Sequence, residues 1–209
     1  MDNNEFKLLW PTVLLQRVLP DVEHANASLA EHILQLEKSY SGMTTEYQGM
    51  NLFESDHPAV SWLRQCTEKT IRDYLQQSGI RYSVSWTLQG WANINRLGDY
   101  HTLHNHPHSY LSGTYYIATP EQQLGANQRR DLNPGAISFF DPRAQANMNA
   151  IANDKQMDPE FRVQPQPGLI LLWPSFLHHF VHPNLSNEPR ISVSFNVVLK
   201  WRDEYIPAH

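Results

Sequence analysis

The sequence predicts a mainly β protein, an antiparallel sandwich or barrel that carries helices on one outer face. Three observations lead there. Apolar residues recur with a period of about 3.6 up to residue 79 and with a period of about two from residue 80 onward. Beyond residue 80, many short apolar runs are punctuated by Gly and Pro. A chain of 209 residues with 41% apolar and 18% charged side chains can close one core without a disulfide or metal staple. The expected organisation is a single domain over 1–209, with helical support at 1–79 and a β core at 80–201.

Residues 6–19 mix Phe6, Leu8, Leu9 and Trp10 with Val13, Leu14 and Leu15, giving one or two short strands interrupted at Pro11. Asp21 then opens a helix, because Val22, Ala25, Leu29, Ile33 and Leu36 form one stripe while Glu31, Glu37 and Lys38 fall on the other side. Residues 39–55 are rich in Ser, Gly, Thr and Asn and read as a loop. Asp56, with Pro58 in the first turn, starts a second helix. Val60, Leu63, Thr67, Ile71, Tyr74 and Leu75 carry it on, and Gly79 stops it. Tyr82, Val84, Trp86 and Leu88 then alternate with Arg81, Ser83, Ser85 and Thr87, the pattern of a half-buried strand. Further strands are expected at 90–96, 100–106, 111–118, 135–140, 160–163, 168–173, 178–182 and 190–200. The polar stretch 143–160 reads as a long mobile insertion able to close over a substrate.

Composition removes several functions. Sixteen basic against 21 acidic residues leave a net charge of −5, with no polybasic footprint for nucleic acid or membrane. Mean hydropathy is −0.52, and no apolar run approaches the ~18 residues of a membrane span. The polar, acidic start Met1-Asp-Asn-Asn-Glu5 lacks the pattern of a secretory signal, so a cytoplasmic protein is expected. A lone Cys66 excludes a disulfide framework and a cysteine zinc site. The unusual residue is histidine, with eleven copies mostly in two clusters.

The first cluster is Gly98-Asp-Tyr-His101-Thr-Leu-His104-Asn-His106-Pro-His108. On a strand, residues i and i+2 face the same side, so His104 and His106 can aim two imidazoles at one divalent metal. The bland alternative is a solvated His-rich turn. The second cluster is Gly168-Leu-Ile-Leu-Leu-Trp-Pro174-Ser-Phe-Leu-His178-His179-Phe-Val-His182. Here an apolar strand turns at Pro174 and delivers a histidine from afar; His178 and His179 face opposite ways, so one at most is a ligand. The third feature is the strand from Arg190, with Ile191, Val193, Phe195, Val197 and Leu199 on one face and Arg190, Ser192, Ser194 and Asn196 on the other. Its polar face is either solvated or turned into a barrel mouth. In the mouth, Arg190 would grip a carboxylate as a fork with Ser192 beside it. The short connection from His179 to Arg190 is expected to set the two on neighbouring strands.

Taken in order, the motifs resemble the iron(II)- and 2-oxoglutarate-dependent oxygenases, in a branch near the prolyl hydroxylases. They are Trp91-Ala-Asn-Ile-Asn95, His104-Asn-His106-Pro107, Ser112-Gly-Thr-Tyr-Tyr116, Phe140-Asp-Pro-Arg143, Trp173-Pro-Ser175 with His179, and Arg190-Ile-Ser-Val-Ser-Phe-Asn196. The resemblance covers residues 80–200 and implies a double-stranded β-helix, the jelly-roll barrel shared with cupins. It implies His104, His106 and His179 as iron ligands. Arg190 and Ser192 would hold the distal carboxylate of 2-oxoglutarate, Tyr116 would add its hydroxyl there, and Asn95 would lie near the metal-proximal end. The implied reaction consumes O2, decarboxylates 2-oxoglutarate to succinate and hydroxylates a peptidyl or small-molecule substrate; a homodimer is left open. The chain departs from the wider superfamily in having His-x-His where His-x-Asp or His-x-Glu is usual, which puts the identity of the metal in question.

A cupin metalloprotein is the competing reading. Gly98, His104 and His106 fit the start of the first cupin motif, and Gly168, Pro174 and His179 fit most of the second. Against it, Tyr110 and Leu111 stand where the cupin glutamate belongs, and Phe176 where its glycine belongs. A metal-free ligand-binding barrel is the third alternative.

Overall fold

The computed structural model describes residues 7, 9–39, 50–123, 132–143, 158–200, 202 and 205. Its centre is a pair of antiparallel sheets. One has five strands in the order β1 (Leu15–Val18), β7 (Leu169–Pro174), β4 (Leu111–Ala118), β9 (Arg190–Leu199) and β2 (Trp86–Asn95). The other has four, in the order β3 (His101–His104), β8 (His179–Val181), β5 (Ile137–Phe140) and β6 (Glu160–Val163). This is the double-stranded β-helix.

Each strand of the larger sheet divides its side chains between two cores, as the two-residue period requires. On the outer side, Tyr115, Ile117, Ile170, Leu172, Ile191, Val193, Phe195 and Val197 meet Leu29 and Ile33 of α1 (Glu23–Glu37) and Val60, Leu63 and Ile71 of α2 (Pro58–Gln77). On the inner side, Tyr116, Leu169, Leu171 and Trp173 meet Ile137, Phe139, Val163 and Leu177. The helices therefore cap one face and leave the space between the sheets to a second, smaller cluster. Gly113 lets β4 pass close to both its neighbours, since a Cβ there would run into the Phe195 ring and the Leu171 carbonyl.

The elements differ from expectation in a few places. The strand expected to begin near residue 82 begins at Trp86 and runs unbroken through the segment expected at 90–96. Its partner β9 ends at Leu199, opposite Trp86, and among the described residues one further bond, from the Lys200 amide to the Ser85 carbonyl, closes the ladder. The second helix is capped by His57, whose Nδ1 accepts from the Ala59 amide, and not by Asp56. A short 3₁₀ turn, Leu52–Glu54, sits where loop was expected. Of the insertion expected at 143–160, residues 144–157 lie outside the described set, as do 40–49 of the expected loop.

Candidate active site

The first histidine cluster arrives on β3 and just beyond it. His104 is the last residue of β3 and sits opposite His179, the first residue of β8. His106 follows the strand end, where the Pro174-Ser175 turn fixes it: its amide donates to the Ser175 carbonyl (3.0 Å), and Ser175 returns both its amide and its hydroxyl to the 109–110 backbone. Ligand atoms of His104, His106 and His179 all lie within 4.8 Å of one another, the one such group among the described residues. His178 and His108 are exposed and stand outside it.

The hydrogen bonds around these rings settle their tautomers. A carbonyl only accepts, so His104 Nδ1, 2.6 Å from the Thr102 carbonyl, carries a proton. His179 Nδ1, 3.1 Å from the Leu177 carbonyl, does the same. Both rings therefore turn Nε2, and not Nδ1, toward the shared point. His179 Nε2 lies 3.3 Å from His106 Nε2, an approach that a cation shared between the two nitrogens would satisfy. Burial holds the His106 pKa down at about 4, with the neighbouring His104 and His101 adding to it. It holds His179 well below the ordinary range for the same reason. Neutral imidazoles with their lone pairs converging are the form that binds a metal. Trp173 sets its edge against the His179 ring at 5.0 Å and Trp91 tilts over His106 at 5.8 Å, which keeps both rings in place.

Across the cavity stands the polar face of β9. Arg190, Ser192, Ser194 and Asn196 all line it. The sheet register arranges their neighbours in rungs: Asn95 beside Arg190, Asn93 and Tyr116 beside Ser192, and Trp91 and Thr114 beside Ser194. Arg190 is 2% exposed. It donates from Nη2 to Asn95 Oδ1 (2.8 Å) and from Nη1 to the Gly135 carbonyl (3.3 Å), while its Nε has no partner. Among the described residues, no acidic side chain lines the cavity. Burial pushes the guanidinium pKa down, yet arginine does not lose its proton in proteins. The result is a buried cation with no counter-ion among the described residues, a state that costs several kcal/mol unless an anion joins it. Tyr116 is 2% exposed and burial pushes its phenol up to about 12, so it stays a donor.

The cavity measures about 780 Å³. Four buried side-chain polar atoms among the described residues lack a partner, and three belong to residues lining this cavity: Arg190 Nε, Asn93 Oδ1 and Trp173 Nε1. Such orphans each cost about 1–3 kcal/mol, and their concentration in one cavity marks where a ligand is received.

All seven residues singled out in the sequence line or flank this cavity: His104, His106, His179, Arg190, Ser192 and Tyr116 form its wall, and Asn95 holds Arg190. Two placements differ from expectation. His179 and Arg190 are not on neighbouring strands; β8 and β9 belong to different sheets and face each other across the cavity. Asn95 sits beside Arg190, and the asparagine one rung further along, toward Trp91 and the His106 ring that Trp91 packs on, is Asn93. Asn93 shares the inner face with Asn95, so its alternation was the signal for it. His101 also lines the cavity, although the alternation that pairs His104 with His106 assigns it to the opposite face.

The profile of the family described as "Putative 2OG-Fe(II) oxygenase" matches residues 89–196, more than half of the chain and nearly the whole barrel. The protein belongs to this family of iron(II)- and 2-oxoglutarate-dependent oxygenases. The cupin alternative fails on the same stretch, since Leu111 points into the helix-side core where a metal-binding glutamate would be needed. No curated protein matches the sequence. Among solved structures, the chain resembles a Pseudomonas putida prolyl-4-hydroxylase at 13% identity, over 90% of this chain and 88% of that one, with a TM-score of 0.57. It resembles a Trichoplax adhaerens prolyl hydroxylase, solved with a hypoxia-inducible-factor peptide, at 12% identity over 88% and 83%, also with a TM-score of 0.57. HygX from Streptomyces hygroscopicus, solved with nickel and 2-oxoglutarate, matches at 14% identity over 91% and 86%, with a TM-score of 0.52. At these identities the likeness is one of fold.

Proposed function

We propose that His104, His106 and His179 hold the family's iron(II), and that Arg190, with Ser192 and Tyr116, receives the distal carboxylate of 2-oxoglutarate. One observation carries the reading: three converging imidazoles face a buried arginine, its Nε without a partner, across a single cavity. The donor set fits the metal, because unprotonated imidazole is a good ligand for borderline divalent ions. The carboxylate pocket fits its ligand, because a bidentate anion would satisfy the guanidinium and meet the Tyr116 and Ser192 hydroxyls on the next rung.

Bound iron supplies the redox chemistry of the family, in which O2 and 2-oxoglutarate give succinate and CO2 while one oxygen atom enters a substrate C–H bond. The residues of the chain do the rest. Arg190 and Tyr116 fix one end of the co-substrate, so its keto-acid end extends toward the histidines. Rungs along a strand are about 6.8 Å apart at two residues per rung, which separates the Arg190 level from the Ser194 level by roughly 14 Å. That span leaves room beyond the co-substrate, where Trp91, Asn93, Thr114, Ser194 and Asn196 form a floor of neutral hydrogen-bonding groups around one aromatic ring. An uncharged polar substrate, peptidyl or small, suits this lining. A cytoplasmic setting, reducing and supplied with 2-oxoglutarate, suits the chemistry; no helix among the described residues is long and apolar enough to cross a membrane.

The test is metal analysis combined with anaerobic calorimetric titration. The wild type should bind about one iron per chain and then 2-oxoglutarate. Failure to bind 2-oxoglutarate at millimolar concentration would overturn the reading.

A further inference from the structure

His101 stands three residues before His104, and on a regular strand these two would face opposite sides. The β3–β8 ladder shows why they do not. His104 pairs with His179 and His101 with Val181, so two residues on β3 span what one residue spans on β8. The extra residue is a β-bulge, which re-aims the side chain beyond it. Both imidazoles consequently line the same cavity, with ring centroids 6.3 Å apart. His101 nonetheless falls outside the group of converging metal-ligand atoms.

His101 Nε2 instead lies 3.1 Å from the Asn95 side-chain amide nitrogen, and Asn95 Oδ1 accepts from Arg190 Nη2 at 2.8 Å. The chemistry of arginine fixes every role in this chain. A guanidinium only donates, so the Asn95 atom facing it must be the oxygen. The Asn95 atom facing His101 is then the NH₂ group, which must donate. His101 Nε2 must therefore accept, and its proton resides on Nδ1. With His101 accepting at the NH₂ end and Arg190 donating at the oxygen end, the Asn95 amide is held from both sides; without His101 its NH₂ loses this acceptor and only one contact fixes the amide plane.

We propose that His101 is a positioning residue for the co-substrate: the bulge in β3 turns it inward to lock the Asn95 amide, and the locked amide holds the Arg190 fork in the orientation that receives the carboxylate. This inference rests on the assignment of Arg190 to 2-oxoglutarate. It separates His101 from the metal ligands beside it in sequence and gives the bulge a purpose.

Two measurements on the full-length protein test it. Long-range ¹H–¹⁵N correlation spectra of histidine-labelled, metal-free wild type at neutral pH report the tautomer, and His101 should be protonated on Nδ1 with a bare Nε2. An Nε2–H tautomer overturns the proposal whatever the variants do. Calorimetry of 2-oxoglutarate into anaerobic, iron-loaded protein then compares wild type, His101→Leu and His101→Gln. His101→Leu should bind iron as wild type does but 2-oxoglutarate about tenfold more weakly. His101→Gln, whose amide oxygen can accept from Asn95, should recover most of the loss. Equal affinity in His101→Leu, or a glutamine variant no better than leucine, overturns the proposal while leaving the Arg190 assignment intact. Loss of iron in His101→Leu overturns it in favour of a metal-supporting role. Absence of binding in the wild type removes the Arg190 assignment and this inference together.

Discussion

Arg190→Lys is the substitution that isolates the carboxylate grip, because it keeps the buried charge and removes only the fork. In the structure the guanidinium spends Nη2 on Asn95 and Nη1 on the Gly135 carbonyl, with Nε unpartnered. A carboxylate entering the cavity meets the remaining N–H groups of a rigid plane. A lysine ammonium has three donors from one atom, and Asn95 Oδ1 and the Gly135 carbonyl compete for them. At least one charge-assisted hydrogen bond to the ligand is lost, worth about 1.5–3 kcal/mol. That corresponds to at least a tenfold rise in Kd, since about 1.4 kcal/mol is a factor of ten. Iron content should be unchanged, because the arginine lies across the cavity from the histidines. The assay is anaerobic calorimetric titration of iron-loaded wild type and variant with 2-oxoglutarate. Equal affinity would show that the carboxylate does not sit on this guanidinium, and the vacant Nε would need another ligand.

Three further outcomes follow from the same geometry. Iron per chain, measured by elemental analysis, should collapse in His106→Ala and His179→Ala and stay near wild type in His108→Ala and His178→Ala, whose side chains are exposed; the reverse pattern would refute the ligand set. The metal-free protein should lose thermal stability as pH falls from about 6.5 to about 4, because His101 and His106 have folded pKa values held down near 4. A depressed pKa stabilises the fold above the unfolded value, and that contribution disappears as the pH drops through the folded one; a midpoint that is flat over this window would contradict the buried neutral cluster. Asn184→Ala should destabilise the chain by about 2–4 kcal/mol in urea titrations, since its buried amide donates to the Asn95 and Glu188 carbonyls and accepts from Gln122 and the Ser186 amide. It should also weaken 2-oxoglutarate binding, because the same amide holds the backbone of Asn95, whose side chain accepts from Arg190.

Much of the barrel was readable because its strands are short, bounded by Gly or Pro, and sit on a single period. The segments expected at 111–118 and 160–163 coincide with β4 and β6. The strand expected from residue 82 starts late for a reason that local pattern cannot hold: where a ladder ends depends on the partner, and β9 stops at Leu199. The polar face of β9 was the real ambiguity. Arg190, Ser192, Ser194 and Asn196 read equally well as a solvated face or a cavity floor, and alternation is blind to which side carries water. What decides it is the second sheet, whose presence opposite β9 follows from topology and not from composition.

The limit of sequence reading shows most clearly on β3. The pairing of His104 with His106 follows from a two-residue period, and their proximity in space agrees with it. The same period sends His101 to the far side, and there the structure disagrees. A bulge is a mismatch between two strands, one residue more on one than on the other. Neither strand carries it alone, so His101-Thr102-Leu103-His104 looks regular until it is laid against His179-Phe180-Val181. The consequence is local but chemical. One added residue moves an imidazole from the outside of the barrel to its interior, beside the asparagine that holds the arginine. The site then has two histidine functions on one strand, three residues apart: an Nε2 turned toward the other two ligands at His104 and an accepting Nε2 at His101, each ring oriented by what its neighbours can donate or accept.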